Sequence, residues 1–160
     1  MPGSKRLQAV NGMVTTLQTI TPGNGYQYDL SGTGVVSTAI ETRDAVFSGG
    51  RRIAVRVRDG EERISRTHLA RGYEARVGIV VEVLYQIEST TSVVDELNAL
   101  LLDLRTAIDS HQDLSTGGAI VEGEMQSISA PAYDFEDRTA AVVIFVDALY
   151  TYTAGQAGGL

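Results

Sequence analysis

EARVGIVVEVLYQI, residues 74–87, settles what kind of fold this chain can adopt. Ala75, Val77, Ile79, Val81, Val83, Tyr85 and Ile87 recur at every second position, while Glu74, Arg76, Glu82 and Gln86 fall between them. A period of two puts the first set on one face of an extended strand and the second on the other, so the segment is a strand with one face on a core. Upstream, RRIAVRVRDG at 51–60 repeats the pattern: Ile53, Val55 and Val57 alternate with Arg52, Ala54, Arg56 and Arg58, which gives that strand a basic outer face. Downstream, TAAVVIFVDALYTYT at 139–153 lines up Ala140, Val142, Ile144, Val146, Ala148 and Tyr150. Its alternate positions include Val143, Phe145 and Leu149, the pattern of a central strand covered in part on both sides.

Helical spacing flanks these strands. From a Ser4 cap, Leu7, Val10, Val14 and Leu17 step by three and four toward Ile20. In 89–113 the apolar stripe Val93, Leu97, Leu100, Leu101, Leu104 and Ile108 follows Ser92, with Asp95 three positions on as in a capping box. Asp95 and Glu96 at its start and His111 past its end suit the helix dipole. AIVEGEMQSISA, residues 119–130, reads as a strand closed by Pro131, and GVVSTAIE, residues 34–41, as a short one. Two helices cannot connect this many strands in parallel. The expectation is therefore an α+β fold: a largely antiparallel twisted sheet with two amphipathic helices packed on one face and a projecting loop or hairpin arm. The arm is DGEERISRTHLARG, residues 59–72, charged and without a sustained pattern; contact with another subunit and a solvated loop are both open readings of it.

One domain over residues 1–154 and a flexible tail at 155–160 account for the 160 residues. Hydrophobic content of 43% and charged content of 21% are those of a globular chain, and no apolar run reaches the roughly 20 residues that span a bilayer. The first residues lack the apolar stretch of a secretory signal. Without cysteine there is neither disulfide nor thiolate metal site. Twenty acidic against thirteen basic residues give a formal charge of −7, which disfavours stable binding of nucleic acid yet is compatible with DNA passing without sticking.

Few residues invite chemistry. ITPGNGYQYDL, residues 20–30, concentrates Gly23 and Gly25 ahead of Tyr26 and Tyr28, but a helix precedes it and no Gly-Lys-Ser/Thr follows, so it reads as a turn with packed tyrosines rather than a phosphate cradle. His68 and His111 lack zinc-enzyme spacing, and the acids of DFEDR, residues 134–138, lack the spacing of a calcium loop and read as a solvated turn. Catalytic, cofactor and metal residues are expected to be none. The arginines concentrate in one region, and Arg56, Arg58, Glu61, Glu62, Arg63, Arg66 and Arg71 are the candidate subunit-interface residues; a neighbouring copy's acidic face and a solvated sheet face are the two readings of that charge.

The helix running into LQTITPGNGYQYDL, with its Thr-Ile, Asn-Gly-Tyr and Asp29, followed by RIAVRVRDGEE and then by strand, Leu-rich helix and two strands, resembles the tail terminator, or tail completion, proteins of long-tailed bacteriophages; related minor tail proteins share these features. The sequence departs from those relatives where Arg52 and Ile53 stand in place of a proline that often opens the first central strand. The resemblance implies a virion protein of the head-proximal end of the tail, assembled in the host cytoplasm and without enzyme activity or cofactor. It implies a homohexameric ring that caps the tail tube, stops its polymerisation and meets the head-neck connector or stopper protein, with DNA passing through the lumen and no membrane partner. Another head-tail connector or tube protein, and a small-ligand-binding α+β domain, are the alternatives.

Overall fold

In a computed structural model of the chain, residues 4–41, 43–66, 72–89, 91–111 and 122–153 are described. Three long strands form the middle of a six-stranded sheet: β2 (Ile53–Arg66), β3 (Gly72–Gln86) and β6 (Thr139–Thr153). β2 and β6 each pair antiparallel with β3 between them, and the β3–β6 register runs from Gly72 opposite Thr153 to Gln86 opposite Thr139. At one edge lies β1 (Val36–Ser37), at the other β4 (Glu122–Ile128), with the short β5 (Ala132–Asp134) also on β6. The expected α+β class, with a mostly antiparallel sheet, is the observed one; β1 alone runs parallel to its neighbour.

The alternating residues of β3 and β6 are the inner face of the sheet. Ala75, Val77, Ile79, Val81, Val83 and Tyr85 are all buried, as are Ala140, Val142, Ile144, Val146, Ala148 and Tyr150. Helices α1 (Lys5–Gln18) and α3 (Val93–Ser110) cover this face and close a single core with it. On α3 the buried side chains are Val93, Leu97, Leu100, Asp103, Leu104, Ala107 and Ile108; of the expected stripe Leu101 alone is half-buried. On α1 the stripe is rotated: Ala9, Val10, Met13 and Leu17 are buried, Val14 is half-buried, and Leu7 is 52% exposed. A helix packed beside another must turn toward both it and the sheet, and small Ala9 permits the closer approach.

Several local expectations change. The strand expected over 34–41 keeps only Val36 and Ser37, after which the chain leaves the sheet and forms a single helical turn, α2 (Arg43–Val46). The strand expected to stop at Gly60 continues to Arg66, so the arm begins as a hairpin: Glu62 lies opposite Val77 and Arg66 opposite Tyr73. Its pattern is masked by a one-residue bulge between Asp59 and Glu62, which flips the apolar period. Gly60 sits there, and a Cβ on it would come within 3.3 Å of the Gly78 carbonyl oxygen. Residues 67–71, including His68 and Arg71, lie outside the described residues, as do the Thr116-Gly117-Gly118 break, the first part of the strand expected from Ala119 and the C-terminal tail.

Capping also differs between the helices. Ser4 Oγ accepts from the Leu7 amide at 3.2 Å, as the cap reading requires. Ser92 precedes α3 but makes no side-chain cap; its hydroxyl instead donates to Glu96 Oε1 at 3.1 Å, so the expected pairing with Asp95 is replaced by one a position further on. At the other end the His111 amide donates to Ala107 O at 3.1 Å and the ring Nδ1 lies 3.0 Å from the same oxygen, a C-terminal cap.

The segment 20–30 is the turn expected of it. Pro22–Asn24 form a 3₁₀ turn closed by Gly25 at φ 90°, a left-handed angle glycine adopts without strain, while Gly23 needs no such angle. The Leu30 amide then returns to Ile20 O at 2.8 Å and Leu30 is fully buried. Asp103 of α3, itself buried, fixes the stretch by accepting from the amides of Gln27 at 2.8 Å and Tyr28 at 2.9 Å. Tyr26 and Tyr28 both pack against the core, and the Tyr28 hydroxyl donates to Glu96 O at 2.9 Å. Replacing Asp103 by alanine strands two amides, and the expected loss is about 1–3 kcal/mol per unsatisfied group in denaturant unfolding.

Candidate functional site

Of the seven candidate interface residues, Arg56, Arg58, Glu61, Glu62 and Arg63 have described side chains, and these five do not form one patch. Val57 to Arg66 of β2 have a strand on one side only among the described residues, because β1 pairs with β2 solely at Val55 and Arg56. On that open hairpin Glu61 and Arg63 are well exposed and paired at 3.3 Å, and half-exposed Arg58 pairs with Glu82 at 3.2 Å. These three present charge to solvent. Surface pairs of this kind contribute little to stability and leave their donors available.

Arg56 and Glu62 turn inward instead. The Arg56 side chain is 6% exposed, and its guanidinium donates to Gly34 O at 3.2 Å, Val35 O at 3.0 Å and Val55 O at 3.1 Å, besides meeting Glu41 at 3.3 Å. Val46 is buried over the same outer side of β2, where Ala54 also has no exposure. The alternation in the sequence marks Arg56 as outward-facing, which is true of the strand; the segment after β1 then folds across it. Arg51 holds the approach to β1 by donating to Gly34 O at 2.6 Å, and Gly34 has φ 77°.

Glu62 belongs to a clamp at the bulge. It accepts from the Tyr150 hydroxyl, and Arg6 of α1 lies 3.5 Å from it while bonding Asp59 at 2.5 Å and Gly60 O at 2.7 Å. Lys5 donates to Thr151 O and stands 5.8 Å from the centre of the Tyr150 ring. The first turn of α1 thus holds the bulge of β2 and the end of β6 in place. Arg66 contributes its backbone to the hairpin, opposite Tyr73.

The outer face of the sheet, away from the helices, carries a shallow depression of about 450 Å³ floored by Gly60, Gly78 and Val80 and rimmed by Arg63, Arg76, Phe145 and Asp147. Phe145 is 44% exposed there, so this side of β6 is less covered than its apolar pattern implies. Arg76 pairs with Glu74 at 3.6 Å, and Glu122 and Glu124 of β4 line an adjoining hollow. The hairpin's arginines are matched in number by its acids, whereas β4 carries Glu122 and Glu124 with no basic residue, so the two edges differ in charge.

One polar cluster joins sheet and helix, with Tyr85 buried and Arg52, Glu88 and Glu96 reaching solvent. The Tyr85 hydroxyl donates to Glu96 and accepts from Arg52 at 3.0 Å; Arg52 lies over the Tyr85 ring at 5.7 Å and pairs with Glu88 at 2.9 Å. Burial first, and the bond to Glu96 second, push the Tyr85 hydroxyl above the ordinary tyrosine range. The Tyr85 bond, with smaller help from Ser92 and Arg52, holds the Glu96 carboxyl below its own. Each group is occupied by its neighbours, so the cluster ties β2, β3 and α3 together. Among the described residues no three His, Cys, Asp or Glu side chains are placed to hold a metal ion, and no helix is long and apolar enough to cross a membrane.

No protein-family model matches the sequence, and no curated protein does. Among solved structures, a chain from the virion of a native gene transfer agent particle has a similar fold: TM-score 0.58 at 13% identity, over 92% of this chain and 96% of that one. At that identity the likeness is one of fold.

Two outcomes follow from these contacts. Arg56→Met removes the guanidinium's bonds to the Gly34, Val35 and Val55 carbonyls and to Glu41, while Gly34 O keeps Arg51 and Val35 O keeps the Val55 amide, so stability measured by urea unfolding is expected to fall by about 1–3 kcal/mol. In a pH series, stability carried by Glu96 is present above the ordinary carboxylate range and lost as pH falls through its lowered folded pKa, and Glu96→Gln flattens that acid limb. Stability carried by Tyr85 is present below roughly pH 10 and lost as pH rises toward its raised folded pKa, so Tyr85→Phe flattens the alkaline limb.

Proposed function

We propose that this chain is a structural component of a phage-like virion and, within that class, a tail terminator: a ring of identical subunits that caps the tail tube, stops its polymerisation and offers the surface to which the head's neck attaches. The observation that carries the reading is the shared fold with a chain of a gene transfer agent virion, which runs through nearly the whole of both chains. The specific order that resembles the tail terminators supports the finer assignment, above all the helix, the Asn-Gly-Tyr turn and the sheet that follows.

The physical form of the subunit suits such a role. Two sheet edges of different chemistry are open, one along the β2 hairpin and one along β4, and a subunit with unlike edges joins its neighbours head to tail. Arg58, Glu61 and Arg63, with Arg66 at the end of β2 and Arg71 further on in the sequence, are the residues proposed to face a neighbouring copy; Arg56 and Glu62 act behind them by holding the edge in shape. The excess of acidic over basic residues, twenty to thirteen, lets a ring pass DNA through its lumen without retaining it. The partners in this reading are further copies of the chain in a hexameric ring, the tail tube protein and the head-neck connector or stopper protein.

Two measurements test it. Electron microscopy of the purified protein is expected to show rings, and a phage lacking the gene is expected to make overlong tails. Absent tails would instead identify a tube protein. A protein that stays monomeric at high concentration and never associates with tail tubes overturns the assembly reading, and a rise in melting temperature with nucleotides or sugar phosphates would favour the ligand-binding alternative.

A further inference from the structure

We infer that the turn between β5 and β6 of one copy docks into a groove beside the β2 edge of the next. The inference rests on the assembly reading above and names the contact that makes it. The turn presents two stacked aromatic rings, Tyr133 and Phe135, with centroids 5.9 Å apart and planes within 10° of parallel. Phe135 is 59% exposed, and among the described residues its ring contact is the stacked Tyr133. The turn is built to hold this shape: Asp134 Oδ1 accepts from the Asp137 amide at 3.1 Å, and Arg138 takes a left-handed φ of 55° to bring the chain back into β6. An aromatic pair held in the open by a fixed turn is an anchor without a pocket on its own subunit.

The matching pocket is at the other edge of the same sheet. Where the chain leaves β1, a groove of about 360 Å³ opens between α1 and β2, walled by Leu7, Val10, Ile40 and Val57. Ile40 is 93% exposed and Leu7 52%, so the groove gathers two of the most exposed aliphatic side chains among the described residues. Beside it the backbone of β2 beyond Arg56 has no strand on its outer side. These are apolar walls that a ring can fill and that lose water when it does.

Charge selects a second copy as the occupant. The turn carries Asp134, Glu136 and Asp137 against the one arginine Arg138, while the groove is lined by Arg6 and Arg58 against Asp59. Arg6 is already bound to Asp59, but the Arg58 side chain is 51% exposed and its fork has donors beyond its pair with Glu82. An acidic aromatic turn therefore meets an apolar groove with an arginine at its rim. Strand order puts β5 and β2 on opposite sides of the β3–β6 pair, so no copy can fill its own groove with its own turn. The contact is heterologous and repeats from subunit to subunit, closing into a ring where the rotation permits.

Because the chain has no cysteine, the contact can be trapped directly. Ile40→Cys and Phe135→Cys are made as single variants and as a double variant, and oxidised at high protein concentration. Mixing the two single variants is expected to give a disulfide-linked dimer, and the double variant a ladder of multiples on a non-reducing gel, since a disulfide needs Cα atoms within roughly 7 Å. Phe135→Asp is expected to shift the protein to monomer in analytical ultracentrifugation with an unchanged circular dichroism spectrum. Arg58→Glu is expected to do the same, and pairing it with Asp137→Arg to restore assembly. Rings that persist in Phe135→Asp and give no cross-link overturn the docking contact while leaving the assembly reading standing. Rings that persist but no longer bind tail tubes overturn a second copy as the occupant and point to the tube. A wild-type protein that stays monomeric overturns both.

Discussion

The fold depends on burying one side of β3. That strand is hydrogen-bonded along its whole length on both sides, to β2 and to β6, so its register fixes where every inward residue of the sheet's middle stands. Six inward positions in a row, Ala75 to Tyr85, are buried, and the matching positions of β6 are buried with them. Such a surface cannot be left in water: each aliphatic side chain gains about 1.5–3 kcal/mol from burial, and the gain is available only if something apolar lies across it. α1 and α3 are what lies across it. The rest of the chain is arranged around delivering those two helices to that face, and the turn at 20–30, locked to Asp103, is the means by which α1 is tied to α3.

The same constraint shapes the outer side. A sheet covered by helices on one face has its other face and both edges to dispose of, and here the disposal is uneven. The segment after β1 folds over the outside of β2 and buries Arg56 and Val46. Farther along, the face is left with Phe145 and Val80 among paired charges, and the β2 hairpin and β4 are left as edges. Open edges invite pairing with other chains, and charge is one way a protein restricts which chains are accepted. The exposed ion pairs of this hairpin add little stability, roughly 0–1 kcal/mol each.

How much of this was legible in the sequence follows from how local the cause is. β3, β6 and α3 were readable because their burial is periodic over many residues: one strong alternation and one continuous leucine stripe suffice. The full length of β2 was not, because a single extra residue near Gly60 reverses which positions face inward, and a charged stretch with reversed parity looks like a loop. The rotation of α1, which leaves Leu7 in solvent, comes from its being wedged against α3 as well as the sheet, a relation between distant segments that helical spacing does not encode. Arg56 shows the same limit. Its place on the outer face follows from alternation, but its burial depends on a segment some twenty residues earlier folding back over it. Asp103, flanked by leucines on a helix, gives no sign in sequence that it receives two amides from the turn at 20–30. The hairpin β5–β6 was hidden by Pro131 and by a strand of only three residues.

A net charge of −7 bears on how copies of this chain would meet. At a distance, two such subunits repel one another, and the repulsion is the same whatever their orientation. At physiological salt it fades over about 8 Å, whereas complementary charges brought into contact are felt at full strength. Association then depends on the orientation in which an acidic part of one copy reaches a basic part of the next before the remaining acids crowd together. In this subunit the arginine-bearing hairpin and the acidic strand and turn lie on opposite sides of the sheet, so the favourable orientation is head to tail. Back-to-back pairing would place like edges together, acid on acid at β4. Under the assembly reading proposed above, the acidic excess therefore disfavours joining through like edges and favours one polarity of contact over the other.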